Sequence, residues 1–361
     1  MSSGRLNLSV LRDDVRAIDA YAVPSAIGLI KLDAMENPFP LPPGLMQQLG
    51  NRLGRTPLNR YPLPDPKGFK ERLARAMGVP EGMQVMLGNG SDELIHLVIQ
   101  ACARPDAVVL APWPGFVMYE LSARFNRCRF VGVPLKADFS LDGPALMAAI
   151  EEHKPAVIFI AHPNNPTGNL FERTVIEEVM RAAPGLVVVD EAYLPFAQDT
   201  WMPQLLRLGN LLVLRTMSKL GLAGIRLGYM AGHPDWIAQL DKVRPPYNVN
   251  VLTLAAAELM LENLPILDAQ AATLRAERTR LATALADVPG VTAFPSAANF
   301  ILFRVEKPDR VFAALKERGI LIKNVSHMHA LLDGCLRVTV GTAAENQAFI
   351  KALRAVIGTP Q

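Results

Sequence analysis

Residues 186–193 read Leu-Val-Val-Val-Asp-Glu-Ala-Tyr: four apolar residues, then two carboxylates. A short run that is apolar at every position suits a strand covered on both faces, as in a parallel sheet. Similar runs occur at 85–87, 107–110, 130–133, 156–160, 211–214 and 227–231. Between several of them lie stretches of helical periodicity, at 91–103, 143–153 and 172–182. Buried strands alternating with helices predict an α/β fold, with a large domain of mostly parallel sheet flanked by helices.

After Pro246 the pattern changes. Helices are expected at 251–262, 266–287, 309–318 and from 343 onward, with strands at 299–304 and 335–340. That spacing predicts a smaller α+β domain. The opening is Pro-rich and irregular, and is expected to lie over other parts as an arm. Residues 68–77 read as a helix closed by Gly78. The chain is thus divided into an arm at 1–36 associated with the small domain, a large domain at 37–264 and a small C-terminal domain at 265–361.

Composition excludes several classes. The chain has 361 residues, half of them apolar and 20% charged, with no repeat of solenoid period. With 37 basic against 34 acidic residues and 6% aromatics, a nucleic-acid partner is not expected. The first 21 residues lack the apolar stretch of a signal peptide. No apolar run reaches the ~18 residues needed to cross a bilayer. No membrane partner is expected, and the cytoplasm is the expected location. Cys102, Cys128 and Cys335 share no metal-ligand spacing, and no metal is expected. Cys102 and Cys335 read as small core residues.

In open α/β sheets, ligands sit beyond the carboxyl ends of the strands. Asp190 follows the run at 186–189, where an ion is costly to bury unless a cation, a metal or several N–H donors meet it. Alone it could also be a magnesium ligand or a capping residue. After 85–87, Gly88-Asn89-Gly90-Ser91-Asp92-Glu93 turns into a helix. Ser91 is expected as N-cap, and the free N–H groups there favour an anion such as phosphate, or simple capping by Asp92 and Glu93. After 156–160, His162-Pro163-Asn164-Asn165-Pro166-Thr167-Gly168 makes a rigid polar loop: an ordinary turn, or one offering an amide donor to a ligand. After 211–214, Arg215-Thr216-Met217-Ser218-Lys219 precedes Gly221, Gly224, Arg226 and Gly228. A lysine of lowered pKa in such a place forms Schiff bases readily, whereas a surface loop lysine would not.

In this order HPNNPTG (162–168), VVVDEAY (187–193) and TMSKLGLAGIRLGY (216–229) resemble the aspartate-aminotransferase-like superfamily. The matching motifs run from residue 61 to residue 337. The resemblance implies pyridoxal 5'-phosphate as cofactor. Lys219 would hold it as a Schiff base and serve as general base, and Asp190 would pair with the protonated pyridine nitrogen. Asn165 and Tyr193 would bond the phenolate oxygen. Thr216, Ser218, Arg226 and the backbone of Gly90 and Ser91 would hold the phosphate. Phe116, in Pro114-Gly115-Phe116-Val117-Met118-Tyr119, matches the ring that stacks on the cofactor, with plain core packing as the other reading. Arg337, in CLRVTVGT (335–342), matches a small-domain arginine that grips the substrate's anionic group.

Within the superfamily, Asn59-Arg60-Tyr61-Pro62, the turn at 88–93 and CLRVTVGT resemble the histidinol-phosphate aminotransferases. That resemblance implies amino transfer between glutamate and imidazole-acetol phosphate, giving 2-oxoglutarate and L-histidinol phosphate. It also implies a homodimer with shared sites, in which Tyr61 reaches the neighbour's site, with Tyr21 of the arm and Asn37 near the substrate. The sequence departs at Met35, where many members have Asn before Glu, and at Lys323, where an arginine is usual. Lysine there can still bind phosphate as a point charge. An aromatic-amino-acid aminotransferase and a threonine-phosphate decarboxylase stay open as alternatives. A DNA-binding regulator does not fit, because residues 1–60 show no basic helix-turn-helix pattern.

Overall fold

The computed structural model describes residues 7–20 and 24–358. Tyr21, expected near the substrate, lies outside them.

The strands, in chain order, begin with β1 (Ile30–Lys31) in the arm. The next seven form the large sheet: β2 (Gln84–Gly88), β3 (Val108–Trp113), β4 (Arg129–Pro134), β5 (Val157–Ala161), β6 (Leu186–Asp190), β7 (Leu211–Thr216) and β8 (Gly228–Gly232). Their spatial order is β2-β8-β7-β6-β5-β3-β4. β7, β6, β5, β3 and β4 pair in parallel, and β8 runs antiparallel to both β2 and β7. Every residue of β5, β6 and β7 is buried. Alternate side chains feed two cores: Val187 and Val189 of β6 enter one, Leu186 and Val188 the other. The helix Ser91–Cys102 covers one face with Leu94, Ile95 and Val98. The helix Arg173–Ala182 covers the other with Ile176, Val179 and Met180, a spacing of one helical face.

The remaining strands are β9 (Thr292–Ala293), β10 (Phe300–Arg304), β11 (Ile320–Leu321), β12 (Lys323–Asn324) and β13 (Cys335–Thr339). Four form a second, antiparallel sheet in the order β12-β13-β10-β9. Phe300, Phe303 and Val338 pack there against Phe349 and Leu353 of the helix Ala343–Ile357. That helix starts at a capping box between Thr342 and Glu345, which satisfies donors its first turn would otherwise expose.

Two features join the sheets. The 23-residue helix Leu264–Ala286 puts Leu267 into the core of the large sheet and Leu274, Leu281 and Leu285 into that of the small one. The arm is fastened by parallel pairing of β1 with β11, and Leu32 then bonds to Leu321 and Thr339 through its backbone. Residues 34–36 are thereby held against the carboxyl ends of the large sheet's strands.

The structure differs from the sequence reading in places. The Pro-rich opening contains the helix Pro43–Gly54, started by Pro43 and anchored by buried Leu45. Gly90, with φ +86°, takes the N-cap position expected of Ser91, which is the first helical residue. Cys102 is only half-buried, because it ends its helix at the surface; Cys128 and Cys335 are buried, and all three are free. No helix among the described residues is long and apolar enough to cross a membrane.

Candidate active site

A cavity of about 360 Å³ lies at the carboxyl ends of β5, β6 and β7. Its walls come from loops far apart in sequence: Ala34, Met35 and Glu36 from the arm, Ser91 and Asp92, Phe116 and Tyr119, Pro163 and Asn165, and residues from 190 to 226.

Asp190 and Glu191 end the same apolar run but meet opposite surroundings. Glu191 accepts from Arg215 Nε at 2.8 Å and from the Thr200 hydroxyl at 2.9–3.0 Å, so its buried charge is matched. Arg215 in turn donates to the carbonyl of Met77 and the hydroxyl of Tyr229, which makes this pair part of the framework. Asp190 lines the cavity and is met by neutral donors: the Tyr119 hydroxyl at 2.9 Å on Oδ2 and the Ala192 N–H at 3.0 Å on Oδ1. Burial pushes its pKa up to about 6 against the pull of those two bonds.

Lys219 sits in a 3₁₀ turn directly after β7, held open by Gly221 at φ +99°. Its Nζ donates to the Ala34 carbonyl at 3.1 Å and lies 5.8 Å from the centre of the Tyr193 ring. Burial, then the charge of Arg337, lowers its pKa to about 8. An amine in that condition is a nucleophile and base near neutral pH.

Thr216, Ser218, Arg226 and the start of the helix Ser91–Cys102 form a polar cradle whose chemistry suits an anion. Ser218 Oγ receives from Thr216 Oγ1 at 3.0 Å and from Arg226 Nη1 at 3.5 Å. Arg226 adopts φ +52° and also reaches Asp92 at 3.4 Å. A Cβ on Gly90 would stand 2.6 Å from Arg226 Nη2, and one on Gly228 would stand 2.6 Å from the backbone of Gly90 and Ser91. The two glycines allow strand, turn and guanidinium to converge where helix N–H groups point.

On another wall Asn165 Nδ2 donates to the Tyr193 hydroxyl at 3.3 Å. Asn165 Oδ1 accepts from Arg337 Nη1, whose Nη2 donates to the Asp33 carbonyl at 3.0 Å. Arg337 therefore stands behind Asn165 rather than on the cavity lining. Phe116 is half-buried on the lining, with its ring edge-on to Tyr119 at 5.6 Å.

The structure thus gathers Ser91, Phe116, Asn165, Asp190, Tyr193, Thr216, Ser218, Lys219 and Arg226 on one cavity, with Gly90 and Arg337 immediately behind it. Three other expected residues stand off the lining. Asn37 gives its amide to Gln270 at 2.9 Å. Lys323 pairs in register with Arg337 on the small sheet. Tyr61 is 81% exposed and stacks on Tyr247 at 4.7 Å. Two residues were missed. Tyr119, in the first turn of the helix Met118–Phe125, contacts Asp190; Glu36 lines the cavity and pairs with Lys31.

A family model for aminotransferase class I and II matches residues 27–353. The chain belongs to the class I and II aminotransferases. Histidinol-phosphate aminotransferase 1 of Ralstonia nicotianae is 60% identical over 96% of this chain and 94% of that protein. Histidinol-phosphate aminotransferase 2 of Cupriavidus pinatubonensis is 59% identical over 96% of each. Among solved structures, histidinol-phosphate aminotransferase from Sinorhizobium meliloti, in complex with pyridoxal-5'-phosphate, has a TM-score of 0.86 at 25% identity over 98% of both chains. L-threonine-O-3-phosphate decarboxylase from Porphyromonas gingivalis has a TM-score of 0.78 at 23% identity and shares the fold of this aminotransferase.

Proposed function

We propose that this aminotransferase uses pyridoxal 5'-phosphate to move an amino group between L-histidinol phosphate and 2-oxoglutarate. The observation that carries the chemistry is the meeting, in one cavity, of Asp190 held by neutral donors, Lys219 with a lowered pKa and the Arg226 cradle. These groups fit the cofactor. Asp190 would match a protonated ring nitrogen, the cradle a phosphate, and Asn165 with Tyr193 a phenolate oxygen. Phe116 would cover the ring face, and Lys219 would hold the carbonyl carbon.

Bound there, the cofactor supplies an electron sink for the charge left when the substrate Cα–H bond breaks. The chain's own residues do the rest. Lys219 Nζ, with its pKa lowered to about 8, would serve as the base that takes the proton from the substrate Cα. Asp190 would hold the ring nitrogen in its protonated form. The apolar strands below and the arm above exclude water. Arg337 would recognise the anionic end of the substrate, by exchanging its bonds to Asn165 and the Asp33 carbonyl for bonds to a carboxylate or phosphate. Lys323, its neighbour on the small sheet, adds a positive charge toward a phosphate.

The substrate assignment is supported by the named relatives at 60% and 59% identity. The working unit we propose is a cytoplasmic homodimer with shared sites. Tyr61, on the surface beside Tyr247, reaches the partner's cavity, and Asn37 belongs to the substrate's surroundings. We divide the chain into an arm at 1–36, a cofactor domain at 37–264 and a small domain at 265–361. The test is a panel of amino donors with 2-oxoglutarate as acceptor. Histidinol phosphate should exceed phenylalanine and tyrosine clearly in kcat/KM. Comparable rates would make this an aromatic-amino-acid enzyme, and carbon dioxide released from threonine phosphate would make it a decarboxylase.

A further inference from the structure

Asp190 is the residue on which the electron-sink chemistry turns, yet its own position depends on another side chain. Its two oxygens are held one each, Oδ1 by the Ala192 N–H and Oδ2 by the Tyr119 hydroxyl. Rotating the carboxylate would break both bonds, so its remaining lone pairs are fixed in direction. Tyr119 is fixed in turn. It is buried, stacked on Phe159 of β5 at 4.7 Å and 13°, and edge-on to Phe116 at 5.6 Å and 87°.

The surroundings make this hydroxyl matter for charge as well as aim. Glu191 and Asp92 both oppose ionisation of Asp190. Tyr193 is the other titratable group in its field, and Lys219 lines the same cavity. Among the described residues, Tyr119 is the side chain that donates to Asp190. Burial keeps that phenol protonated, so it acts as donor throughout the working range. An ordinary buried tyrosine that bonds to the nearest acceptor would look similar, but it would not link cofactor affinity to the ring nitrogen.

We propose that Tyr119 is a positioning residue that keeps Asp190 ionised and aimed into the cavity, so that recognition of a protonated ring nitrogen depends on the Tyr119 hydroxyl. The proposal rests on the cofactor reading above and adds a residue to it. It does not require Tyr119 to touch the cofactor.

The test compares two ligands on cofactor-free protein: pyridoxal 5'-phosphate and its 1-deaza analogue, in which carbon replaces the ring nitrogen. Binding is followed by intrinsic fluorescence, without turnover. Tyr119→Phe keeps both ring contacts and removes only the hydroxyl. It should bind pyridoxal phosphate about tenfold to a hundredfold more weakly than wild type, the range for a bond to a charged group. Its affinity for the deaza analogue should stay within about twofold. In an Asp190→Asn background the same substitution should add nothing. Tyr119→Leu should show the same preference, since a general loss of packing cancels in the ratio of two ligands. Equal losses for both ligands, or no loss for pyridoxal phosphate, would overturn the proposal. Wild type binding both ligands equally would instead remove the role of Asp190 itself, and this inference with it.

Discussion

Arg337 Nη1 donates to Asn165 Oδ1, joining the middle of the small sheet to the loop after β5. Asn165 passes the contact to Tyr193, and the second Arg337 nitrogen holds the carbonyl of Asp33 in the arm. One guanidinium thus ties together the small sheet, the arm and the cavity wall. Asn165 and the Asp33 carbonyl are neutral, so an incoming carboxylate or phosphate would offer stronger, charge-assisted bonds in their place.

Arg337→Ala should therefore weaken both half-reactions, by on the order of tenfold to a hundredfold in kcat/KM. Arg337→Lys should recover part, because the charge remains and the fork does not. Lys323→Ala should hurt histidinol phosphate more than glutamate. Following the cofactor spectrum separates the two half-reactions. Unchanged rates in Arg337→Ala would make this arginine a clasp only.

Asp190→Asn should slow turnover by roughly a thousandfold or more, since loss of a close charge partner in a dry site is worth several kcal/mol. The same substitution should stabilise the cofactor-free protein. The wild-type carboxyl has its pKa raised in the folded state to about 6, so ionising it above that pH opposes folding. The gain should be on the order of 3 kcal/mol above pH ~6 and should fade as pH falls toward ~4, where the carboxyl is protonated folded or unfolded. Thermal unfolding across pH 4–8 measures it. A variant less stable than wild type at pH 8 would contradict this picture of Asp190.

Tyr61 stacks on Tyr247 in an exposed position, off its own chain's cavity. If it serves the partner's site, Tyr61→Ala should be badly impaired, yet restored by subunit exchange with inactive Lys219→Ala. Each mixed dimer carries one intact site, so about a quarter of all sites should recover. No recovery after confirmed exchange would place Tyr61 outside the shared site.

The large strands were legible from apolar runs such as 157–160, 186–189 and 211–214, which are buried on both faces and carry their polar residues only at the carboxyl ends. β1, β9, β11 and β12 are two residues each, too short for any periodicity, and pairing of β1 with β11 joins segments about 290 residues apart. The helix Pro43–Gly54 was hidden by its prolines, although proline at a helix start is favourable. In the site, residues that directly follow a strand were readable, because strand ends converge on one edge of the sheet. Tyr119 and Glu36 were not, since each is defined by a contact across the fold: Tyr119 with Asp190, and Glu36 through the docking of the arm.

Borohydride reduction of the pyridoxal-phosphate-loaded protein, followed by peptide mapping, bears most directly on the chemistry. Lys219 lies beside the Tyr193 ring with its pKa lowered to about 8 and a carbonyl of the arm on its amine. The label should fall on Lys219 alone, and Lys219→Ala should bind cofactor without fixing it and without transaminating. A stoichiometric label on any other lysine, or normal turnover by Lys219→Ala, would contradict the assignment of this cavity as the active site.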